Sequence, residues 1–255
     1  MSGFRLKVLS YNIHKGFTAS NLSFALHRIK SSIDLVHADL VFLQEVLGHH
    51  EHHGRRHKDW PTAPQFEFLA GEIWPHFAYG KNAAYAAGHH GNAILSKYPI
   101  TSWENIDIST NRLERRGMLH ATVQLPRMRE ELHAVCVHLD LLASGRATQI
   151  AGIIRRVEKA VPHDAPLVLA GDFNDWGEKA SRLLQKNLGL NEAFLALKGE
   201  HARTFPSWLP VLRLDRIYYR GAEAVTAEIL SNRPWNELSD HAAVSAELVR
   251  TAKNK

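Results

Sequence analysis

Three strand-like runs, residues 103–108, 118–125 and 131–139, follow one another with no room for a helix between them. Parallel neighbours need a crossover of roughly a dozen residues or more, whereas antiparallel neighbours need only a short turn. This segment therefore rules against a purely parallel, doubly wound sheet and requires antiparallel pairing. Further strands are predicted over residues 4–13, 39–46, 167–170, 211–219, 224–230 and 242–249, and another begins at 92–95 before Pro99 limits it. Apolar residues at helical spacing predict helices over 22–36, 66–74, 143–161 and 179–187, with Pro162 and Gly189 as stops. Residues 48–64 read as a loop containing histidine and proline, and residues 251–255 as a frayed tail. With no linker, composition break or internal repeat, residues 1–255 are expected to form one domain of the α/β (α+β) class.

At 255 residues and 45% hydrophobic composition, the chain can bury a substantial core without staples. Its one cysteine, Cys136, lies in an apolar run. That excludes an intramolecular disulfide, suits a reducing compartment and gives the thiol a packing role. The N-terminus lacks the apolar segment of a signal peptide, and no apolar run approaches the ~20 residues that span a bilayer. A soluble, cytoplasmic protein with no transmembrane segment and no obligate protein partner is expected. The net charge of +5 suits an anionic substrate such as a phosphate ester, and the 17 histidines would strengthen that field near pH 6.

The chemistry lies at the strand ends. Residues 166–174 read Pro-Leu-Val-Leu-Ala-Gly-Asp-Phe-Asn: an apolar run stops at Gly171, and Asp172 and Asn174 follow at alternating positions. Such residues share one side of an extended chain. Alone, this is equally a solvated turn. The pattern recurs, however. Asn12 and His14 end the first strand, Glu45 ends the second, His138 and Asp140 end the run at 131–139, and Asp215 and the pair Asp240-His241 flank the last strands. So many polar ends on apolar strands argue for a shared site. Glu45, Asp172 and Asp240, with the amides of Asn12 and Asn174, are hard oxygen ligands suited to Mg²⁺ or Mn²⁺. No thiolate set exists for structural zinc. Histidines supply proton transfer near neutral pH. A divalent cation with His/Asp pairs and no cofactor motif points to hydrolysis of a phosphate ester, the metal neutralising oxygen charge while a base activates water.

The runs Tyr11-Asn-Ile13, Gln44-Glu-Val46, Gly91-Asn-Ala-Ile-Leu-Ser96, Val137-His-Leu139, Gly171-Asp-Phe-Asn174, Leu214-Asp-Arg-Ile217 and Ser239-Asp-His241 occur in this order across nearly the whole chain. The ordered set resembles the endonuclease/exonuclease/phosphatase superfamily, the DNase I-like fold. Within it, Asn12-Ile-His-Lys-Gly-Phe17, Gly88-His-His-Gly-Asn92 and Gly171-Asp-Phe-Asn-Asp-Trp176 resemble the bacterial YbhP-like branch. The resemblance implies a four-layer α/β/β/α sandwich of two mixed, mainly antiparallel sheets. It implies Glu45 as main metal ligand with Asn12 and Asp240 nearby, and Asp172 orienting or deprotonating the attacking water. Asn174 would hold a phosphate oxygen, His241 would contact the scissile phosphate with Asp215 fixing its ring, and His138 would be a second catalytic histidine. Two departures stand out. His14 replaces an acidic residue found in abasic-site endonucleases, which would shift metal preference towards Mn²⁺ or supply a phosphate contact. Asn92 sits near the place of the usual acidic partner of the second histidine, and is expected to hold that ring or the substrate phosphate.

Arg116, in Glu114-Arg-Arg-Gly117, is a candidate for the substrate phosphate because guanidinium matches phosphate oxygens; the alternative is a basic hairpin turn. The tract His49, His50, His52, His53 and His57 reads as a solvated loop near the site mouth, with metal binding as the alternative. Trp60, Trp176, Trp208 and Trp235 are expected to pack under loops, or else to stack on bases or touch lipid. The expected function is a divalent-metal-dependent phosphoesterase acting on a phosphodiester, with nucleic acid or a phospholipid head group as substrate. The alternatives are a phosphomonoesterase on a small ester and a non-catalytic phosphate- or nucleic-acid-binding module.

Overall fold

The computed structural model describes residues 3–20, 23–50, 56–112, 114–126 and 128–250, the side chain of His49 excepted. Leu22, His52, His53 and the tail 251–255, all named above, lie outside the described residues. The chain runs β1 (Phe4–Asn12), α1 (Leu26–Val36), β2 (Leu40–His50), α2 (Gln65–Ala70), β3 (His76–Tyr85), β4 (Gly88–Ser96), β5 (Ile100–Asp107), β6 (Gly117–Val123), β7 (Leu132–His138), α3 (Ala143–Ala160), β8 (Leu167–Asp172), α4 (Lys179–Leu188), β9 (Asn191–Glu192), α5 (Ala193–Lys198), β10 (Asp215–Arg220), β11 (Glu223–Leu230), α6 (Trp235–Leu238) and β12 (Ala243–Arg250). A 3₁₀ turn at His14–Gly16 follows β1.

Two six-stranded sheets form, in the orders β11-β12-β1-β2-β4-β3 and β5-β6-β7-β8-β10-β9. β1 with β2 and β7 with β8 pair in parallel. The run β5-β6-β7 is antiparallel, as its short connections require.

Each central strand is apolar on both faces because both faces are covered. Leu6, Val8, Phe42, Ile94 and Val244 of the first sheet share a core with Leu119, Ala134, Cys136, Val168, Ala170 and Ile217 of the second. The opposite face of the first sheet, including Leu9, Tyr11 and Leu43, packs under Leu26, Ile29 and Ile33 of α1. That of the second, including Val135, Val137 and Leu169, packs under Ile150, Ile153 and Val157 of α3 and Leu184 of α4. The result is the helix–sheet–sheet–helix sandwich of a DNase I-like fold. Burying each such aliphatic side chain stabilises by roughly 1.5–3 kcal/mol.

Polar staples cross the middle layer. Gln44 Nε2 donates to Cys136 Sγ (3.4 Å), Cys136 Sγ donates to the Leu43 carbonyl (3.5 Å), and Asn92 Nδ2 donates to the Gly117 and Cys136 carbonyls (3.0 and 3.4 Å).

The structure corrects several boundaries. Residues 76–85, without a helical or strand-like apolar pattern, form the edge strand β3; an edge strand buried on few positions needs no apolar run. β2 continues past Val46 to His50 by pairing with β4 out to Gly88, so the predicted loop begins later. α2 stops at Gly71 rather than Trp74, whose indole Nε1 donates to the Ala38 carbonyl (2.9 Å). Residues 211–214 are not part of a strand. β10 starts at Asp215, which pairs with Asp172, while Leu212 bridges back to Phe205. β9, α5 and α6 are too short to leave a periodic signature.

Gly171 is a tight point of the frame beside the strand ends. Its φ of +145° is unfavourable for a side chain, and a Cβ there would lie 1.9 Å from the carbonyl oxygen of Val137 on β7. This close approach sets β7 against β8 at the level of His138 and Asp172. Gly171→Ala is expected to lower unfolding free energy by about 1–3 kcal/mol or more, as read by equilibrium urea denaturation.

Candidate active site

Strand parity carries polar side chains into the middle layer at one end of the sandwich. Asn12 continues the inward series Leu6, Val8; His138 continues Ala134, Cys136; Asp172 continues Val168, Ala170; and Asp215 precedes Ile217 and Tyr219. The parallel pairs end at the same level, and β10 and β12 start there.

Asp172 is the meeting point. Its Oδ2 accepts a hydrogen bond from Asn12 Nδ2 at 3.2 Å and lies 3.4 Å from His138 Nε2 and 3.6 Å from His241 Nε2. Its Oδ1 accepts the Asn174 backbone N–H at 3.0 Å. Behind His241, Asp215 Oδ2 is 2.9 Å from Nδ1, and the Phe205 ring packs with its centroid 5.0 Å from the imidazole. The carboxylate–imidazole pairing that the family resemblance implied is present.

Burial pushes the Asp172 carboxyl up, and Asp215 adds to this; His241, the Asn174 N–H and Asn12 oppose it, leaving the group at about 6. Burial acts to discharge His241, but Asp215 and Asp172 outweigh it and raise the ring to about 10. His138 is driven well below its ordinary range by burial, with Arg116, His241, His90 and Lys15 contributing. Near neutrality His241 is therefore an imidazolium, His138 a neutral imidazole and Asp172 ionised.

Glu45 comes from a different local device. The β2–β4 register breaks between Leu43 and Val46, and Glu45 has a φ of +57°. That left-handed conformation is sparsely populated for such a residue and turns its carboxylate out of strand parity. Glu45 Oε1 lies 3.5 Å from Asn12 Nδ2 and Oε2 lies 3.6 Å from Lys15 Nζ. Burial acts to raise its pKa, but Lys15, His14, His241 and His90 together hold it below the usual range. Asp240 joins through His14, whose Nδ1 is 3.8 Å from Asp240 Oδ1, and through Ser239, whose Oγ donates to Asp240 Oδ1 (3.3 Å) and to the Asn12 carbonyl (2.7 Å).

Two sets of side chains bear on a metal. Ligand atoms of Asp172, Asp215 and His241 lie within 4.8 Å of one another. A ring held protonated between two carboxylates has no lone pair for an ion, so this trio fits a hydrogen-bonded relay better. The donors at Glu45, Asp240 and Asn12 are hard oxygens fitted to Mg²⁺ or Mn²⁺. His14 Nδ1 beside them is buried and without a hydrogen bond among the described residues. Asn12 now turns Nδ2 to the carboxylates while its Oδ1 accepts the His14 N–H (3.1 Å), so as a ligand its amide would have to turn over.

The other predicted residues divide. Asn174 has a φ of +48° and its Nδ2 donates to the Leu139 carbonyl (3.0 Å), which places it at the site but tethered. Asn92 Nδ2 is spent on two backbone carbonyls across the sandwich, which makes the residue an inter-sheet staple. Asp140 turns away to Thr110, Asn111 and the Leu142 N–H. Arg116 Nη2 is 3.4 Å from Glu114, while its Nε is buried and without a partner among the described residues. His57 and Trp60 pack with Phe17 and Phe24, and Trp235 meets Tyr11 edge-on. Trp176 and Trp208 are exposed.

Lys15 had no assigned role in the sequence. Lys15 follows Asn12 within one motif, and His90 shares the inward parity of Asn92. Burial lowers His90 to about 4, with Lys15 and Arg116 contributing against Glu45, and its Nδ1 is buried without a partner among the described residues.

A family model described as Endonuclease/Exonuclease/phosphatase family matches residues 9–241. Over 245 residues the chain is 46% identical to the uncharacterized protein YbhP of Escherichia coli (strain K12), covering 96% of each. An endonuclease/exonuclease/phosphatase family protein from Bacteroides thetaiotaomicron superposes with a TM-score of 0.76 at 17% identity, over 99% of this chain and 100% of that one. The mannosyl-6-phosphatase Bt3783 of Bacteroides thetaiotaomicron VPI-5482 gives 0.72 at 17% identity over 95% and 99%. Truncated Caenorhabditis elegans TDP2 gives 0.71 at 21% identity over 96% and 97%. At these identities the solved structures show a common fold.

Folding raises the His241 pKa from 6.5 to about 10, so the ring's contribution to stability is complete below pH 6.5 and is lost as pH climbs through about 10. The Asp172 shift acts at lower pH, between 3.8 and about 6. Wild-type Tm is expected to fall more steeply from pH 7 to pH 10 than that of His241→Asn, as followed by thermal scans in matched buffers.

Proposed function

The chain belongs to the Endonuclease/Exonuclease/phosphatase family, and from that premise we propose that it is a divalent-metal-dependent phosphoesterase hydrolysing a phosphodiester by in-line attack of water. The observation that carries this reading is the convergence of Asn12, His138 and His241 on one oxygen of Asp172, with Asp215 behind His241. Asp172, ionised above about 6, accepts the proton of the attacking water. His241, held as imidazolium, places positive charge and a hydrogen bond on a phosphate oxygen, and Asp215 fixes its ring. His138, neutral and buried, orients water or substrate without adding charge. Mg²⁺ or Mn²⁺ held by Glu45 with Asn12 and Asp240 would neutralise phosphate oxygen charge. Arg116, with an unpartnered Nε, is the group we assign to a further phosphate oxygen.

A phosphomonoesterase is the second reading. Lys15 beside Glu45 and the nearby Arg116 offer two fixed positive charges, which a dianionic phosphate would use more fully than a diester. The buried, reduced Cys136 accords with a cytoplasmic location.

Hydrolysis of bis-(p-nitrophenyl) phosphate and p-nitrophenyl phosphate with Mg²⁺ or Mn²⁺ tests both readings. Asp172→Asn and His241→Ala are each expected to lower kcat by about a hundredfold or more. Wild-type kcat should fall roughly tenfold per pH unit below about 6, as Asp172 takes up its proton. Turnover no greater than that of His241→Ala on diester, monoester and DNA would leave a non-catalytic phosphate-binding module. Glu45→Gln is expected to move the metal titration to higher concentration; an unchanged titration removes Glu45 from the ligand set.

A further inference from the structure

Three loops leave the sandwich at the end that carries the site, and each puts large apolar side chains into water. Leu141 and Leu142 follow β7, Trp176 follows β8, and Trp208, Leu209 and Val211 lie in residues 205–212 ahead of β10. Trp208 is 66% exposed, Leu142 64% and Trp176 58%, and the other three are each more than half exposed. Monomeric proteins seldom leave neighbouring large apolar residues uncovered unless something docks there.

These loops are held in place and joined to the site. Phe205 and Leu212 pair across the base of the third loop, and Val211 N–H donates to the Phe205 carbonyl at 2.9 Å. Within that loop, Ser207 N–H donates to the Asp240 carbonyl at 2.7 Å, and Phe205 packs on His241. Arg216 Nη2 donates to the Asp175 carbonyl (3.2 Å) and Arg213 Nη1 to Glu178 (2.8 Å), tying the Trp176 turn to the start of β10. Asn174 Nδ2 donates to the Leu139 carbonyl, and Arg146 Nη1 braces the Leu141 carbonyl at 2.5 Å. The apolar side chains are therefore presented by ordered backbone that borders the reacting groups.

We propose that Leu141, Leu142, Trp176, Trp208, Leu209 and Val211 form a rim that seats the site on a phospholipid surface, so that the ester it receives is the phosphodiester of a phospholipid head group. The substrate half of this proposal rests on the phosphoesterase reading; the docking half does not. Two features favour lipid over nucleic acid. Bases stack on flat rings, whereas four of these six side chains are aliphatic. Tryptophan mixed with leucine and valine, on a chain of net charge +5, suits the boundary between acyl chains and anionic head groups. Whatever covers the rim must also deliver a phosphate ester between the same loops, and a phospholipid supplies both parts in one molecule.

The test uses the full chain and the variant Trp176→Ser/Trp208→Ser/Leu209→Ser, whose altered side chains are solvent-exposed and should leave Tm unchanged. Co-sedimentation with phosphatidylcholine vesicles containing phosphatidylglycerol is expected to capture the wild type and to fall by about tenfold or more in the variant. With Mg²⁺ and dihexanoyl phosphatidylcholine, wild-type turnover should rise sharply as the lipid crosses from monomers to micelles. The variant should lose that rise while hydrolysing soluble bis-(p-nitrophenyl) phosphate at the wild-type rate. Equal co-sedimentation of both proteins, or binding of single-stranded DNA but not vesicles that the variant loses, overturns the proposal. Vesicle binding lost in the variant, with no turnover of either substrate by the wild type, keeps the docking surface and overturns the substrate assignment together with the phosphoesterase reading.

Discussion

The face-to-face packing of the two sheets is the constraint on which everything else rests. Because side chains alternate along a strand, committing Leu6 and Val8, or Val168 and Ala170, to the middle layer also commits Asn12 and Asp172 to point into it. The same hydrophobic contacts that fix strand register fix the direction of the reacting groups. A one-residue slip in β8 would bury Phe173 in the middle layer and send Asp172 to the helix side. Stability and site geometry are thus one property here, enforced by the staples of Gln44 and Asn92 across the layer.

At the end of that layer the environment changes from hydrocarbon to a dense group of charges. Buried charges persist only when partners offset their lost hydration. Asp215 and Asp172 do this for His241, while Lys15 and the neighbouring rings do it for Glu45. The site consequently splits into a proton-handling half at Asp172, His138 and His241 and an anionic half at Glu45 and Asp240. Asn12 touches a carboxylate of each half, which makes it the hinge between proton transfer and cation binding.

Much of this was legible in the sequence, for a physical reason. Buried central strands must be apolar, so Asn12, Glu45, His138, Asp172 and Asp215 at their ends stand out against that background. The antiparallel run β5-β6-β7 was legible because its connections are too short for crossovers. The edge strand β3 was not, since partial exposure removes the apolar pattern that marks a strand. The stapling role of Asn92 was not legible, because its carbonyl partners on the facing sheet are invisible along one chain. Lys15 was missed because its proximity to Glu45 depends on a left-handed turn after β1.

Cys136 carries a consequence of another kind. Its sulfur sits between Gln44 and the Leu43 carbonyl in the middle layer, and burial, opposed only by the Gln44 hydrogen bond, pushes the thiol up to about 12. Thiolate, the form that reacts with alkylating agents, is then scarce while the sheets stay together. Labelling of this single sulfur becomes a clock for separation of the two sheets: its rate reports how often the sandwich opens, from a position that no loop movement at the rim exposes.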